Sequence, residues 1–285
     1  MRIVMDAAGD VPADLAEELN IYVIPVNIMF GTEEFLSDVT MDHKAFYQKV
    51  GTVGDHNFPK TSQPTPYQFE RAYEEIIAEG EDEILTITVS EKLSGTYASA
   101  VAASRSLANG AKFHLYDSKA GSALQGIMAI EAARMSRGGD GIEPICQRLD
   151  QILEESATYF LIDSLEYAVR GGRVSSLRST MASLLNIKPV MTLEDGLIVE
   201  AGKVRTYKKA IDYIINAVKA DVDDRPSKLA IIHAGKPNAG QALLDKARPY
   251  FKITEEFLTD MAIAVAINLG PGALGMIAVP EAGAT

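Results

Sequence analysis

Short apolar runs alternate along the chain with segments whose apolar residues recur at helical spacing, which predicts strands joined through helices in an α/β architecture. Residues 2–5 read as a first strand. Asp10 is placed to cap a helix with Pro12 in its first turn, running to about Leu19. Residues 21–30 are β-rich, and Asp42 can cap a short helix through Val50. Residues 51–66 are rich in Gly, Pro, Thr and Ser and read as a loop of the length that often carries function; an amphipathic helix over 67–78 follows. A strand at 83–89, a helix at about 95–108, a strand at 112–116 and two helices at 122–137 and 142–155 complete a doubly wound, mainly parallel unit. A second set begins with a strand at 159–162. It continues with helices near 180–185 and 207–220 and strands near 187–193, 197–200, 228–233 and 253–258.

The expected organisation is an N-terminal α/β domain over 1–156 and a C-terminal α/β or α+β domain over 157–285, packed directly so that a cleft lies between them. Residues 261–279 carry no charge and are about as long as a membrane span. The turn formers Asn268-Leu269-Gly270-Pro271-Gly272 inside that stretch favour two buried strands around a turn, so no stable membrane insertion is expected.

Composition narrows the class. The chain has 285 residues, of which 47% are apolar and 23% charged, the usage of a soluble globular protein with room for a substantial core. Its 27 Lys and Arg against 39 Asp and Glu leave a formal charge of −12, which opposes binding to a nucleic-acid backbone. Cys146 is the only cysteine, so no intrachain disulfide can form. Asp6 and Asp10 interrupt the start of the chain where a secretory signal would need an apolar stretch, and a cytoplasmic location is expected.

Several familiar chemistries find no support. Residues 270–275 spell G-x-G-x-x-G, but the dinucleotide fingerprint needs a following helix and a later acid, and few residues follow Gly275. His43, His56, His114 and His233 are scattered, so no metal site is expected. Asp6 and Asp10 make a weak two-carboxylate pair, with Ala at position 8, and no G-x-S-x-G elbow is present. No catalytic residue is assigned.

Two hydroxyl-rich segments are more informative: Thr61-Ser62-Gln63-Pro64 ahead of the 67–78 helix, and Ser94-Gly95-Thr96-Tyr97 opening the next. Each is either a plain helix cap or a place where hydroxyls and free backbone amides stabilise an anion. Ser94 follows a strand at the carboxyl edge of the expected parallel sheet, where ligands of such sheets bind. A basic glycine turn, Arg170-Gly171-Gly172-Arg173-Val174-Ser175, with Lys188, Lys203 and Arg205 beyond it, is either a solvated face or a contact for phosphate or an acidic partner.

Taken in order and spacing, these segments, with Asp117-Ser118, Ile187-Lys188-Pro189 and Gly270-Pro271-Gly272, resemble the DegV family of bacterial fatty-acid-binding proteins over nearly the whole chain. The resemblance implies a two-domain carrier, without a cofactor of its own, that holds one long-chain fatty acid in an apolar tunnel. It further implies a partner fatty-acid kinase that phosphorylates the bound carboxylate to an acyl phosphate for phospholipid synthesis. By motif position Thr61 and Ser94 would hold the carboxylate, with Ser62, Gly95 and Asn268 around it, while Arg173 and Arg205 would meet the partner. Two departures stand out: Asp6-Ala7-Ala8-Gly9-Asp10 where the family usually has hydroxyls, and Asn268 where it commonly has a His. Asn can donate a hydrogen bond but cannot carry a positive charge, which bears on phosphate handling. The alternative is a stand-alone α/β enzyme acting on a small anionic substrate in the cleft.

Overall fold

A computed structural model describes residues 1–107, 111–174 and 187–283. The chain divides into two compact units, Met1–Gln151 and Ile152–Thr285.

In the first unit a four-stranded sheet has the order β2-β1-β6-β7, with every neighbouring pair parallel. Its strands are β1 (Arg2–Asp6), β2 (Tyr22–Ile24), β6 (Glu83–Thr88) and β7 (Lys112–Asp117). The two central strands are buried nearly throughout because helices cover both faces of such a sheet. Helices α1 (Ala13–Glu18), α3 (Pro66–Ala78), α4 (Thr96–Ser106), α5 (Ser122–Gly138) and α6 (Ile142–Glu155) accompany it, α6 running past the boundary of the unit. Helix α3 buries Phe69, Ala72, Tyr73 and Ile76, the i, i+3, i+4, i+7 stripe, against Val4, Ile24 and Ile84. From β1 the chain passes to β2 on one side and later returns to β6 on the other, so the topological switch point lies between the carboxyl ends of β1 and β6.

A small antiparallel sheet of order β4-β3-β5 stands beside it, from β3 (Asn27–Phe30), β4 (Glu33–Leu36) and β5 (Pro59–Ser62); α2 (His43–Val50) lies between β4 and β5 in the chain. Three expectations change here. The β-rich stretch 21–30 splits near Pro25, whose missing N–H cannot serve a ladder, into one strand for each sheet. The expected loop 51–66 contains β5, a four-residue strand made by pairing with β3 rather than by its own composition. Helix α1 is preceded by Pro12, not capped by Asp10, whose carboxylate instead accepts a bond from the Ser122 hydroxyl. Asp42 does cap α2, accepting from the Ala45 amide at 2.7 Å.

The second unit is built on a six-stranded sheet of order β10-β9-β8-β13-β11-β12. It comprises β8 (Ala157–Leu161), β9 (Lys188–Glu194), β10 (Leu197–Val204), β11 (Ser227–His233), β12 (Ile253–Asp260) and β13 (Leu274–Pro280), and β11–β12 is its parallel pair. Helices α7 (Leu165–Gly171), α8 (Tyr207–Val222), α9 (Pro237–Ala247) and α10 (Ile263–Leu269) complete it. Helix α8 packs Ala210, Ile214, Ile215 and Val218 on Leu161, Leu229 and Met276 of the sheet. The charge-free stretch 261–279 is not two strands around a turn: its first half is α10, and only its second half is a strand, the fully buried β13. An apolar run buried on every side has no polar face to reveal its period, which is why helix and strand look alike there. No described helix is long and apolar enough to cross a membrane. The helix expected near 180–185 lies outside the described residues.

Candidate functional site

At the switch point of the first unit, Asp6 ends β1 with a fully buried carboxylate. Oδ1 accepts from the Ala8 amide at 3.0 Å, while Oδ2 accepts from the Val89 amide at 2.8 Å and from Gln125 Nε2 at 3.0 Å. The side chain thus ties the loop after β1 to the loop after β6. Burial pushes its carboxyl pKa above the ordinary range, and these hydrogen bonds oppose the shift.

Beyond Val89 the chain makes a tight turn in which the amides of Leu93 and Ser94 both reach the Ser90 carbonyl, at 3.0 and 3.1 Å. Ser94 is half-buried, and its hydroxyl lies 2.9 Å from that of Thr96. Gly95 is the residue before α4 and offers no side chain to the first-turn amides.

The second hydroxyl segment is not at a helix start, as expected, but in strand β5. There Thr61 pairs with Ile28 and Ser62 with Asn27, so the two hydroxyls project from opposite faces of the small sheet. Thr61 shares the face of the buried Ile28 and Phe30. Ser62 lines an open groove of about 420 Å³ with Asn27, Met29, Leu36 and Thr65. The start of α3 is closed by Thr65, which accepts from the Gln68 amide at 3.2 Å and donates its own amide to Gln68 Oε1 at 2.9 Å. Asn27 Nδ2 joins this network, donating to the Gln63 carbonyl at 3.1 Å and to Gln68 Oε1 at 3.2 Å. The two hydroxyl segments meet where the Gln63 side chain lies against Gly95: a Cβ at position 95 would sit 2.9 Å from Gln63 Nε2. In the sequence Gln63 stands inside the Thr61-Ser62-Gln63-Pro64 motif with no signal of its own, and Asp6 reads only as half of a weak carboxylate pair.

In the second unit Asn268 occupies the last turn of α10, and its Nδ2 donates to the Ala264 carbonyl of the same helix at 2.8 Å. Gly171, at the end of α7, packs so closely on Asn268 that a Cβ there would lie 2.7 Å from Oδ1. Arg173 Nη1 donates to the Gly171 carbonyl at 2.7 Å, so Arg173 and Asn268 converge on one residue. The basic turn is partly neutralised: Arg170 pairs with Glu166 at 2.8 Å, Lys188 with Asp163, and Lys203 with Glu200 at 3.0 Å. Arg205 is exposed just after β10, and Ser175 lies outside the described residues. Among the described residues no group of three or more His, Cys, Asp or Glu could hold a metal ion.

The arrangement in the first unit offers hydroxyl and amide donors, which suit an acceptor-only group such as a carboxylate. Comparison with known proteins agrees in kind. Residues 1–281 match the profile of the DegV family, described as uncharacterised. The chain is 30% identical over 279 residues to the DegV protein of Bacillus subtilis, covering 97% of this chain and 98% of that one. It is likewise 30% identical over 281 residues to a Thermotoga maritima protein named fatty acid-binding protein, covering 96% of each. Among solved structures, a DegV family protein from Thermus thermophilus described by its fatty acid binding superposes with a TM-score of 0.90 at 30% identity, over 99% of this chain and 100% of the other. None of these names refers to an enzymatic activity. Over residues 1–281 the chain is a member of the DegV family.

Proposed function

We propose that the protein is a carrier that binds a long-chain fatty acid, holds its carboxylate at Thr61 and Ser94, and presents it to a partner fatty-acid kinase. The observation that carries this reading is the full-length likeness to the Thermus thermophilus protein described by its fatty acid binding. The approach of Gln63, the residue after β5, to Gly95 at the start of α4 brings the two hydroxyl segments together and supports the placement of the carboxylate. Thr61 and Ser94 are the hydroxyl donors, and the exposed Gly95 follows Ser94 directly in sequence. Ser62, on the other face of β5, belongs to the outer groove rather than to the same set of donors.

The division of labour follows from magnitudes. Burying about 12 methylenes at ~0.8 kcal/mol each yields ~10 kcal/mol of gross driving force before association entropy is subtracted. Charge-assisted hydrogen bonds contribute roughly 1.5–3 kcal/mol apiece, and they also replace the water a carboxylate must shed. The tail supplies affinity and the head group sets orientation. On this reading Arg173 and Arg205 face the kinase.

Titration of delipidated protein with palmitate tests the site. Ser94→Ala is expected to weaken binding about tenfold to a hundredfold, and Thr61→Ala with Ser94→Ala further, in protein whose circular dichroism is unchanged. Wild-type affinity in the double variant overturns the assignment. Arg173→Ala is expected to keep its lipid and to lower acyl-phosphate formation by a cognate kinase; the opposite pattern would remove Arg173 from the partner face.

A further inference from the structure

We propose that Gln63 is a specificity-determining residue of the carboxylate site, its side-chain amide donating to the ligand carboxylate beside Ser94. The inference rests on the fatty-acid reading above and goes beyond it by naming what separates an acid from a neutral lipid of the same length.

Three observations carry it. First, the backbone at Gln63 is held from both sides: its carbonyl accepts from Asn27 Nδ2 at 3.1 Å, and the next residues are the buried Pro64 and Thr65, the cap of α3. The side chain is therefore delivered from a fixed base. Second, Gln63 is exposed and its amide makes no hydrogen bond to any described residue, although Asn27, Thr65 and Gln68 close around it are all engaged with one another. Third, the amide lies against Gly95, where a Cβ would stand 2.9 Å from Nε2 and 3.2 Å from Cδ. Gly95 has φ −75°, a conformation open to any residue, so backbone strain does not call for glycine at this position. What the missing Cβ provides is room for the Gln63 amide against the residue that joins Ser94 to α4.

The chemistry follows from the donor inventory. Nε2 carries two N–H donors, and an ionised carboxylate is acceptor-only with about four lone-pair sites. A carboxylate met only by the Thr61 and Ser94 hydroxyls keeps acceptor sites that need further donors once water is gone. Gln63 supplies one without adding a charge to the site. A fatty alcohol has a single oxygen and no charge, so it gains far less from the same amide.

The experiment measures dissociation constants of palmitate and hexadecanol on delipidated, full-length protein for the wild type, Gln63→Ala, Gln63→Glu and Gly95→Ala. Gln63→Ala is expected to lose about tenfold in palmitate affinity while hexadecanol changes by less than about twofold. Gln63→Glu, which puts a carboxylate against a carboxylate, is expected to lose more than Gln63→Ala for palmitate and nothing comparable for hexadecanol. Gly95→Ala displaces the amide while Gln63 itself is kept, so it should reproduce the Gln63→Ala pattern, and the two changes together should cost no more than either alone. An acid-to-alcohol ratio that stays at the wild-type value in Gln63→Ala and Gly95→Ala overturns the proposal. If those two are silent while Ser94→Ala still weakens palmitate, only Gln63 is removed from the site. If the wild type binds no palmitate, the carrier reading itself falls.

Discussion

Asp6 serves two strands with one side chain. Its oxygens accept amides from the loop after β1 and the loop after β6, and Gln125 of α5 closes the set. Neither partner loop is near the other in sequence, so the role could not be read from the pair Asp6 and Asp10. In the fold Asp10 takes a different partner, Ser122. Desolvation raises the Asp6 pKa above its ordinary value of 3.8. The native state therefore holds this proton at pH values where the unfolded chain has already released it, and stability falls as pH rises through the interval above 3.8. Urea unfolding followed against pH should show that fall in the wild type, and it should be missing from Asp6→Asn, which is less stable overall because an amide turns donors toward donors. A difference between wild type and variant that stays constant across this interval would contradict the argument. Thr61 and Ser62 make the same point from the ligand side. Both hydroxyls stand out in the sequence, but only the β5–β3 register shows that they project to opposite faces.

Helix α3 was legible almost to the residue, because its signals are local: a Thr before Pro66, a Gln three positions on, and an apolar stripe over the following turns. Thr65→Ala removes the accepted Gln68 amide bond and is expected to cost about 1 kcal/mol, seen as a lower urea midpoint with an unchanged slope. An unchanged midpoint would mean that water caps this helix equally well. The short strands β4 and β5 were not legible, since four residues carry too little pattern and acquire strand geometry by pairing with β3. Helix α10 was misread for a different reason. Its Ile, Ala and Leu residues are buried, which leaves too few polar positions to betray a helical period.

At the scale of the whole molecule, a ligand that binds only the folded chain stabilises it by mass action. Palmitate at about a hundredfold its dissociation constant contributes ~2.7 kcal/mol, which corresponds to a rise of roughly 4–5 °C in Tm for delipidated protein. A melting curve indifferent to palmitate would count against the carrier reading, and one raised equally by hexadecanol would count against a carboxylate-directed site. The sequence alone determined the α/β class, the order of most elements and the family resemblance, because helix and strand periods, caps and motif spacings are properties of neighbouring residues. It also weighed against a charge-driven association with nucleic acid, since a formal charge of −12 opposes attraction to a phosphate backbone. Only the tertiary structure decided which side chains meet: Asp6 with the Val89 amide, Arg173 and Asn268 on Gly171, and the Gln63 amide in the space that Gly95 leaves open. Those meetings depend on strand pairing and close packing between segments far apart in the chain, and no local pattern encodes a distance between them.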